Sequence, residues 1–366
     1  MSFEGGTWTT ARWGGSLWGY KQAGVSISAT IQNAALSALL AQANPSQIEV
    51  ILTVLFGSVD LTRYIETVTV ETGNGRSYAL ATIVFIGGNI PGFINSNLIT
   101  VKVGYRTSEN KLYTGTVFRG TAAFLIPRKG RESQSVTITA YGGNPALDLA
   151  PANSSWSGSS FELAVSELGN AGVTKMDLDF TPMTLSGTLN FSKKLPLIMA
   201  LAEALEEAIT CFQFNGTFTA RKCLGQTISG WKFPLSCQFS QGSEENSLER
   251  YNQVTVTGST GNSNSPYNDT DDQVDNGVLP YIYSSSFPLS TAQCLAKAIS
   301  IVNFSILPVI NFESILNPWI KVGTVVEVQD QDTELYKEVL ITDLTSRMSW
   351  VSNSGFWTNY RGKVLN

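Results

Sequence analysis

The sequence predicts a mainly β protein with an α+β insert: two similar antiparallel β-barrel domains flanking a small α+β domain. Three observations carry this prediction. Short alternating or β-branched runs recur through both ends of the chain, separated by turns rich in Gly, Asn and Ser. The middle switches to helical periodicity. The last third repeats a pattern already met in the first.

Residues 1–44 form an N-terminal arm and a short helix. The arm is rich in Gly and Trp, and Trp8, Trp13 and Trp18 stand five apart. That spacing fits neither one helix face nor one strand face, so the stretch reads as irregular. Trp is a favoured interface anchor, which makes these three the candidate interaction residues. The competing reading is an arm lying over its own domain. IQNAALSALLAQ (31–42) reads as a short helix stopped by Asn44-Pro45.

The first barrel domain spans 45–150. Its strands are IEVILTVLF (48–56), IETVTVET (65–72), ALATIVFIG (79–87), LITVKVGY (98–105), KLYTGTVFRGTAAFLI (111–126) and SQSVTITAYG (133–142). The α+β domain spans 151–245. Ser159 and Glu162 suggest a capping box ahead of FELAVSEL, with Gly169 as the stop. LPLIMALAEALEEAIT (195–210) reads as a helix, with Pro196 in its first turn and one apolar face from Leu197 to Ile209. CFQFNGTFTARKC (211–223) reads as a hairpin turning at Asn215-Gly216.

The second barrel domain spans 246–366, with an inserted helix over 290–302 that opens on a Ser290/Gln293 capping box. Its strands are YNQVTVTGS (251–259), GTVVEVQD (323–330), ELYKEVLITDLTSRMSW (334–350) and a last strand around FWTNYRGKVL (356–365). LITVKVGY, a polar turn and KLYTGTVFRGTAAFL in the first half match GTVVEVQD, a polar turn and ELYKEVLITDLTSRM in the second. Both long strands open on Leu-Tyr, at Leu112-Tyr113 and Leu335-Tyr336. This reads as a faint internal duplication; the competing reading is that any two hairpins look alike at this level.

Composition excludes several functions. The chain has no histidine, the commonest general base and metal ligand. Its four cysteines, Cys211, Cys223, Cys237 and Cys294, make no C-x-x-C pair and read as buried thiols. There is no G-x-S-x-G and no phosphate-binding G-x-x-x-x-G-K-[ST]. NDTDDQVDNG (268–277) fits no calcium-loop register and reads as a solvated loop. No catalytic residue, metal or cofactor is nominated, and no enzyme is expected. Net charge is −5 with no basic block, against specific nucleic-acid binding. No signal peptide or membrane span is read in the sequence, so no membrane anchor is expected. Charged residues are only 14% of the chain. That suggests a surface covered by partners, or else one of Ser, Thr, Asn and Gly.

The order barrel, α+β insert, barrel resembles the central baseplate hub of contractile phage tails, the fold class that also forms the base of type VI secretion spikes. The matching pieces are VFRGTAAFLIPRKGRESQSVTITAYGGNPALDLAP, SSFELAVSELGNAG, LIMALAEALEEAITCFQFNGTFTARK, NQVTVTGS, NPWIKVGTVVEV and VLITDLTSRMSW, together covering about residues 48–366. No single piece is diagnostic; their order is. The resemblance implies a homotrimer with pseudo-six-fold symmetry in the virion baseplate. It would join the tail tube protein to a spike or needle protein, contact baseplate wedge proteins, and line a channel that genomic DNA transits without specific binding. A lumen of acidic balance would suit that transit. The Trp arm is outside the pattern. Alternatives are a tail-tip ring component of a non-contractile phage, a carbohydrate-binding or glycan-degrading β-protein, and an adhesin module.

Overall fold

The computed structural model describes residues 10–12, 49–76, 78–86, 98–106, 112–129, 134–144, 146–244, 250–349 and 355–365. The candidate residues Trp8, Trp13 and Trp18, and the helix expected over 31–42, lie outside them.

The first unit contains β1 (Thr10–Arg12), β2 (Glu49–Phe56), β3 (Val59–Asp60), β4 (Ile65–Gly73), β5 (Ala79–Ile86), β6 (Leu98–Arg106), β7 (Leu112–Lys129) and β8 (Gln134–Gly142). Its hydrogen-bonded order is β2-β6-β7-β8-β5-β4, with the short β1 and β3 laid on β2. Alternation places one side of each strand in the core. Along β5, for example, Ala79, Ala81, Ile83 and Phe85 are buried and the residues between them are not.

The middle segment holds α1 (Ala146–Leu149), β9 (Ser155–Ser159), α2 (Ser160–Asn170), β10 (Met176–Asp179), β11 (Thr184–Thr188), α3 (Lys194–Ala202), β12 (Ala208–Phe212) and β13 (Phe218–Lys222). The Ser159 hydroxyl caps α2 by accepting from the Phe161 N–H. The expected helix over 195–210 is shorter: α3 ends at Ala202 and Ala208–Phe212 is a strand. Burial decides this. Ile209 and Cys211 enter one core, Ala208 and Phe212 the other, so every residue of β12 is buried. A strand buried on both faces is continuously apolar and mimics a helix in sequence. The hairpin to β13 turns at Gly216, whose φ of 79° favours glycine.

Strands β14 (Ile228–Phe233) and β15 (Gln238–Glu244) follow, then β16 (Gln253–Thr257), β17 (Tyr267–Asn268), α4 (Thr270–Asn276), β18 (Pro280–Ser284) and α5 (Thr291–Ser305). The last strands are β19 (Val309–Ile315), β20 (Val325–Gln329), β21 (Tyr336–Ser349) and β22 (Phe356–Val364). The capping box at α5 forms in both directions: Gln293 N–H to Ser290 Oγ at 3.3 Å, and Ser290 N–H to Gln293 Oε1 at 2.8 Å. The expected solvated loop over 268–277 contains α4, capped by Asp269. Asp272 is buried there against Arg250 and Asn252, which hold its carboxyl below its ordinary pKa.

The second unit has the order β14-β20-β21-β22-β19-β15. Ranked along the chain, both units read 1-4-5-6-3-2. They differ at one end, where β2 runs antiparallel to β6 but β14 runs parallel to β20. Strands β14 and β15 come from the segment assigned by sequence to the α+β domain. Conversely β16, Val254 and α5, placed by sequence in the second barrel, pack with α2 and α3 in a separate core. The strands of the two six-stranded units share the other core, from Leu52, Val68 and Ile83 to Phe312, Leu344 and Tyr360.

Candidate functional site: the seam between the repeats

The two units are joined by hydrogen bonds into one sheet. The join is made by β21. Val339 and Leu340 pair with β20 on one edge and with β22 on the other. From Asp343 onward the strand leaves β20 behind, and the vacated edge pairs with β4 of the first unit. The register runs from Asp343 opposite Gly73 to Ser349 opposite Thr67. A bulge at Thr342 marks the change of partner.

Side chains fix this register. Val68, Val70, Leu344 and Met348 are at most 1% exposed on the core side. Ser346 and Thr358, also on that side, satisfy each other at 2.9 Å. At the far end Gly73 meets the Asp343 carboxylate, which is held by the Thr342 hydroxyl at 2.9 Å. The chain continues into a clasp. Asn74 N–H donates to Thr342 O at 2.9 Å, Thr210 N–H to Asn74 Oδ1 at 3.0 Å, and Gly75 N–H to Thr210 O at 3.0 Å. The Thr72 hydroxyl donates to Phe212 O at 2.8 Å. So β12 of the middle segment locks the seam.

The opposite side of the seam is polar. Cross-strand pairing puts Thr67, Thr69 and Glu71 of β4 beside Asp343, Thr345 and Arg347 of β21 and Trp357, Asn359 and Arg361 of β22. Leu80, Thr82, Thr139 and Tyr141 extend this face over β5 and β8. It carries hydroxyls and both signs of charge. Among the described residues no group of three or more His, Cys, Asp or Glu side chains is placed to hold a metal ion. The four cysteines are buried and form no disulfide, and burial pushes the Cys237 thiol up to about 11. No helix among the described residues is long and apolar enough to cross a membrane.

Sequence reading singled out the three Trp residues. It missed Gly73, Asn74 and Asp343, which make the seam. Between the Trp positions, Thr10–Arg12 pairs with β2, so this part of the arm lies on its own chain.

No family model matches the chain, and no curated protein matches it in sequence. Solved structures do. A tail protein from Neisseria meningitidis MC58 aligns with a TM-score of 0.63 at 12% identity, covering 86% of this chain and 96% of that one. The 43 kDa tail protein of prophage MuSo2 from Shewanella oneidensis aligns with a TM-score of 0.63 at 11% identity, covering 86% and 98%. The E. coli c3393 protein is described as a type VI secretion component similar in structure to the T4 tail proteins gp27 and gp5. It aligns with a TM-score of 0.50 at 9% identity, covering 82% and 73%. These alignments, at 9–12% identity, give this chain, mainly antiparallel β-structure with a few helices, the fold of these tail proteins.

Proposed function

We propose that the chain is the structural hub of a phage tail baseplate: a homotrimer with pseudo-six-fold symmetry that adapts a hexameric tail tube to a trimeric spike and lines the DNA channel. One observation carries the reading. A single chain holds two six-stranded units of the same strand order, already joined edge to edge. Three copies then present six similar units, while the assembly of whole chains keeps three-fold symmetry. The tail proteins with this fold support a place in the virion tail, with tube, spike and wedge proteins as neighbours.

The domains of this hub are the arm, a first tube-like unit over 49–142, a second over 228–244 and 309–364, and an α+β body between them. Its work is assembly rather than catalysis. The polar sheet face suits a channel lining. Hydroxyls with Glu71 and Asp343 set against Arg347 and Arg361 leave these paired positions of β4, β21 and β22 without a net cationic charge to hold DNA. That face is balanced rather than acidic, so smooth transit rests on the scarcity of charge.

Native mass spectrometry with negative-stain imaging tests the reading. The expected result is a ring of three 39.6 kDa chains, near 119 kDa, with six lobes around a hole. A six-chain ring would instead support the tail-tip alternative.

A further inference from the structure

The internal seam shows how one unit grips the next, and the repeat supplies the same parts again, unused. In the first unit, β7 is the counterpart of β21. Thr121 pairs with β6 on one edge and with β8 on the other, and beyond it β7 continues along β8 alone to Lys129. Among the described residues no strand pairs with the far edge of this continuation. In the second unit, β15 is the counterpart of β4. It ends the sheet, paired with β19 on one edge and with no described strand on the other. Among the described residues each chain therefore carries one open copy of each half of its own seam.

The counterparts align residue by residue. The bulge of β7 against β8 lies between Ala122 and Phe124, and that of β21 against β22 between Ile341 and Asp343. Superposing the bulges puts Leu125 on Leu344 and Arg128 on Arg347. The bulge of β4 lies between Ile65 and Thr67, and that of β15 between Gln238 and Ser240. Each of these strands follows directly on a 3-10 turn, Thr62–Tyr64 and Leu235–Cys237. Superposition here puts Ser240 on Thr67, Gly242 on Thr69 and Glu244 on Glu71.

We propose that a second copy of this chain docks by antiparallel pairing of its β15 with the open edge of β7. The register is Ile126 opposite Glu244, Arg128 opposite Gly242 and Lys129 opposite Gln241. It copies the internal pairs Thr345–Glu71, Arg347–Thr69 and Met348–Val68. Pro127, opposite Ser243, adds no N–H to either ladder and keeps its carbonyl. Because the two edges differ, the contact is head-to-tail, and it closes a ring when the rotation allows. Internal and external seams then alternate around a continuous sheet with no exposed edge at these strands. This rests on the ring reading above, and adds which strands meet and in what register.

Cysteine pairs test it. Directly opposite residues in an antiparallel ladder have Cα atoms about 4.5–5.5 Å apart. That lies inside the roughly 4.4–6.8 Å a disulfide needs. The variants are Arg128→Cys with Gly242→Cys, and Lys129→Cys with Gln241→Cys, so that one pair is of the non-hydrogen-bonded kind. A Cβ at Gly242 meets no atom within 4 Å. The four native cysteines are buried and give little background. Thr69→Cys with Arg347→Cys is the internal control and should link within one chain. Arg128→Cys with Ser240→Cys, two positions out of register, should link several-fold less.

The expected result on mild oxidation is linked dimers and trimers in non-reducing gels for at least one in-register pair. A trimeric native mass with no in-register link above the out-of-register level overturns this seam and leaves the hub reading standing. A monomeric native mass for the wild-type chain overturns both.

Discussion

Asp343 sits directly across the ladder from Gly73, and its carboxylate fills the space that a side chain at residue 73 would need. The crowding comes from this neighbour rather than from backbone conformation, because Gly73 is not among the glycines with positive φ. Gly73→Ala should therefore cost about 1–3 kcal/mol by overpacking. Asp343→Ala should recover much of that in the double variant. Urea denaturation of the four members of the cycle gives the coupling, expected above about 0.5 kcal/mol. Additive effects would show that the carboxylate does not occupy this space.

Glu203 makes the fold less stable as pH rises from acid towards neutral. Burial pushes its carboxyl from an ordinary 4.5 up to about 7, Lys297 opposes the shift, and Glu207 adds to it. Lys297, only 1% exposed, is committed elsewhere: it donates to Glu206 O at 3.0 Å and pairs with Glu207 at 2.5 Å. An acid with a raised folded pKa holds its proton longer folded than unfolded. Stability then falls as pH rises from about 4.5 to about 7 and levels off above. Glu203→Gln should match wild type at pH 4 and melt at a higher temperature at pH 8. Equal melting temperatures at both pH values would remove the effect.

Asp330 works in the opposite sense at the turn between β20 and β21. Lys337, the Thr333 amide and hydroxyl, and the Asp332 amide all donate to it, and they hold its carboxyl at about 2, below an ordinary 3.8. Its stabilisation is complete above about pH 4 and lost as pH falls towards 2. Asp330→Asn should lose about 1–2 kcal/mol at pH 7, given the partly exposed Lys337. The variant should also show a flatter stability profile than wild type between pH 4 and pH 2. Unfolding midpoints at pH 2, 4 and 7 decide it.

Much of the β-structure was legible because each strand buries one face. The alternation of Ala79, Ala81, Ile83 and Phe85 is a local signal that survives without the fold. β12 was misread because burial on both faces erases alternation. β14 and β15 were passed over because Gly230 and Pro234 interrupt any strand pattern there and their partners lie 65 to 97 residues further along the chain. The duplication was visible at Leu112-Tyr113 and Leu335-Tyr336, which mark the hairpin ends of β7 and β21. Those pairs do not set the register at the seam, since β7 runs further than β21 from its hairpin to its bulge. The closer match is Leu125 and Arg128 with Leu344 and Arg347. The contact of Gly73 with Asp343 had no sequence signal at all, because the two residues are distant in the chain and neither belongs to a pattern.

The N-terminal arm offers the last prediction. Thr10–Arg12 pairs with Glu49–Ile51 on the outer edge of β2, and Trp8 and Trp13 flank that short ladder in sequence. Three residues of strand add little beside the eight-pair ladder of β2 with β6 and the seven-pair ladder at the seam. The large aromatics are better suited to anchoring a neighbour. Deleting residues 1–24 should leave the thermal unfolding transition within about 2–4 °C of wild type, the shift expected for about 1 kcal/mol in a larger domain. It should weaken assembly, seen as a concentration-dependent loss of the proposed trimer in native mass spectra. The triple variant Trp8→Ala, Trp13→Ala, Trp18→Ala should reproduce the assembly defect while keeping the β1 strand. Loss of soluble protein on deletion, with the triple variant still trimeric, would show instead that the arm belongs to its own fold.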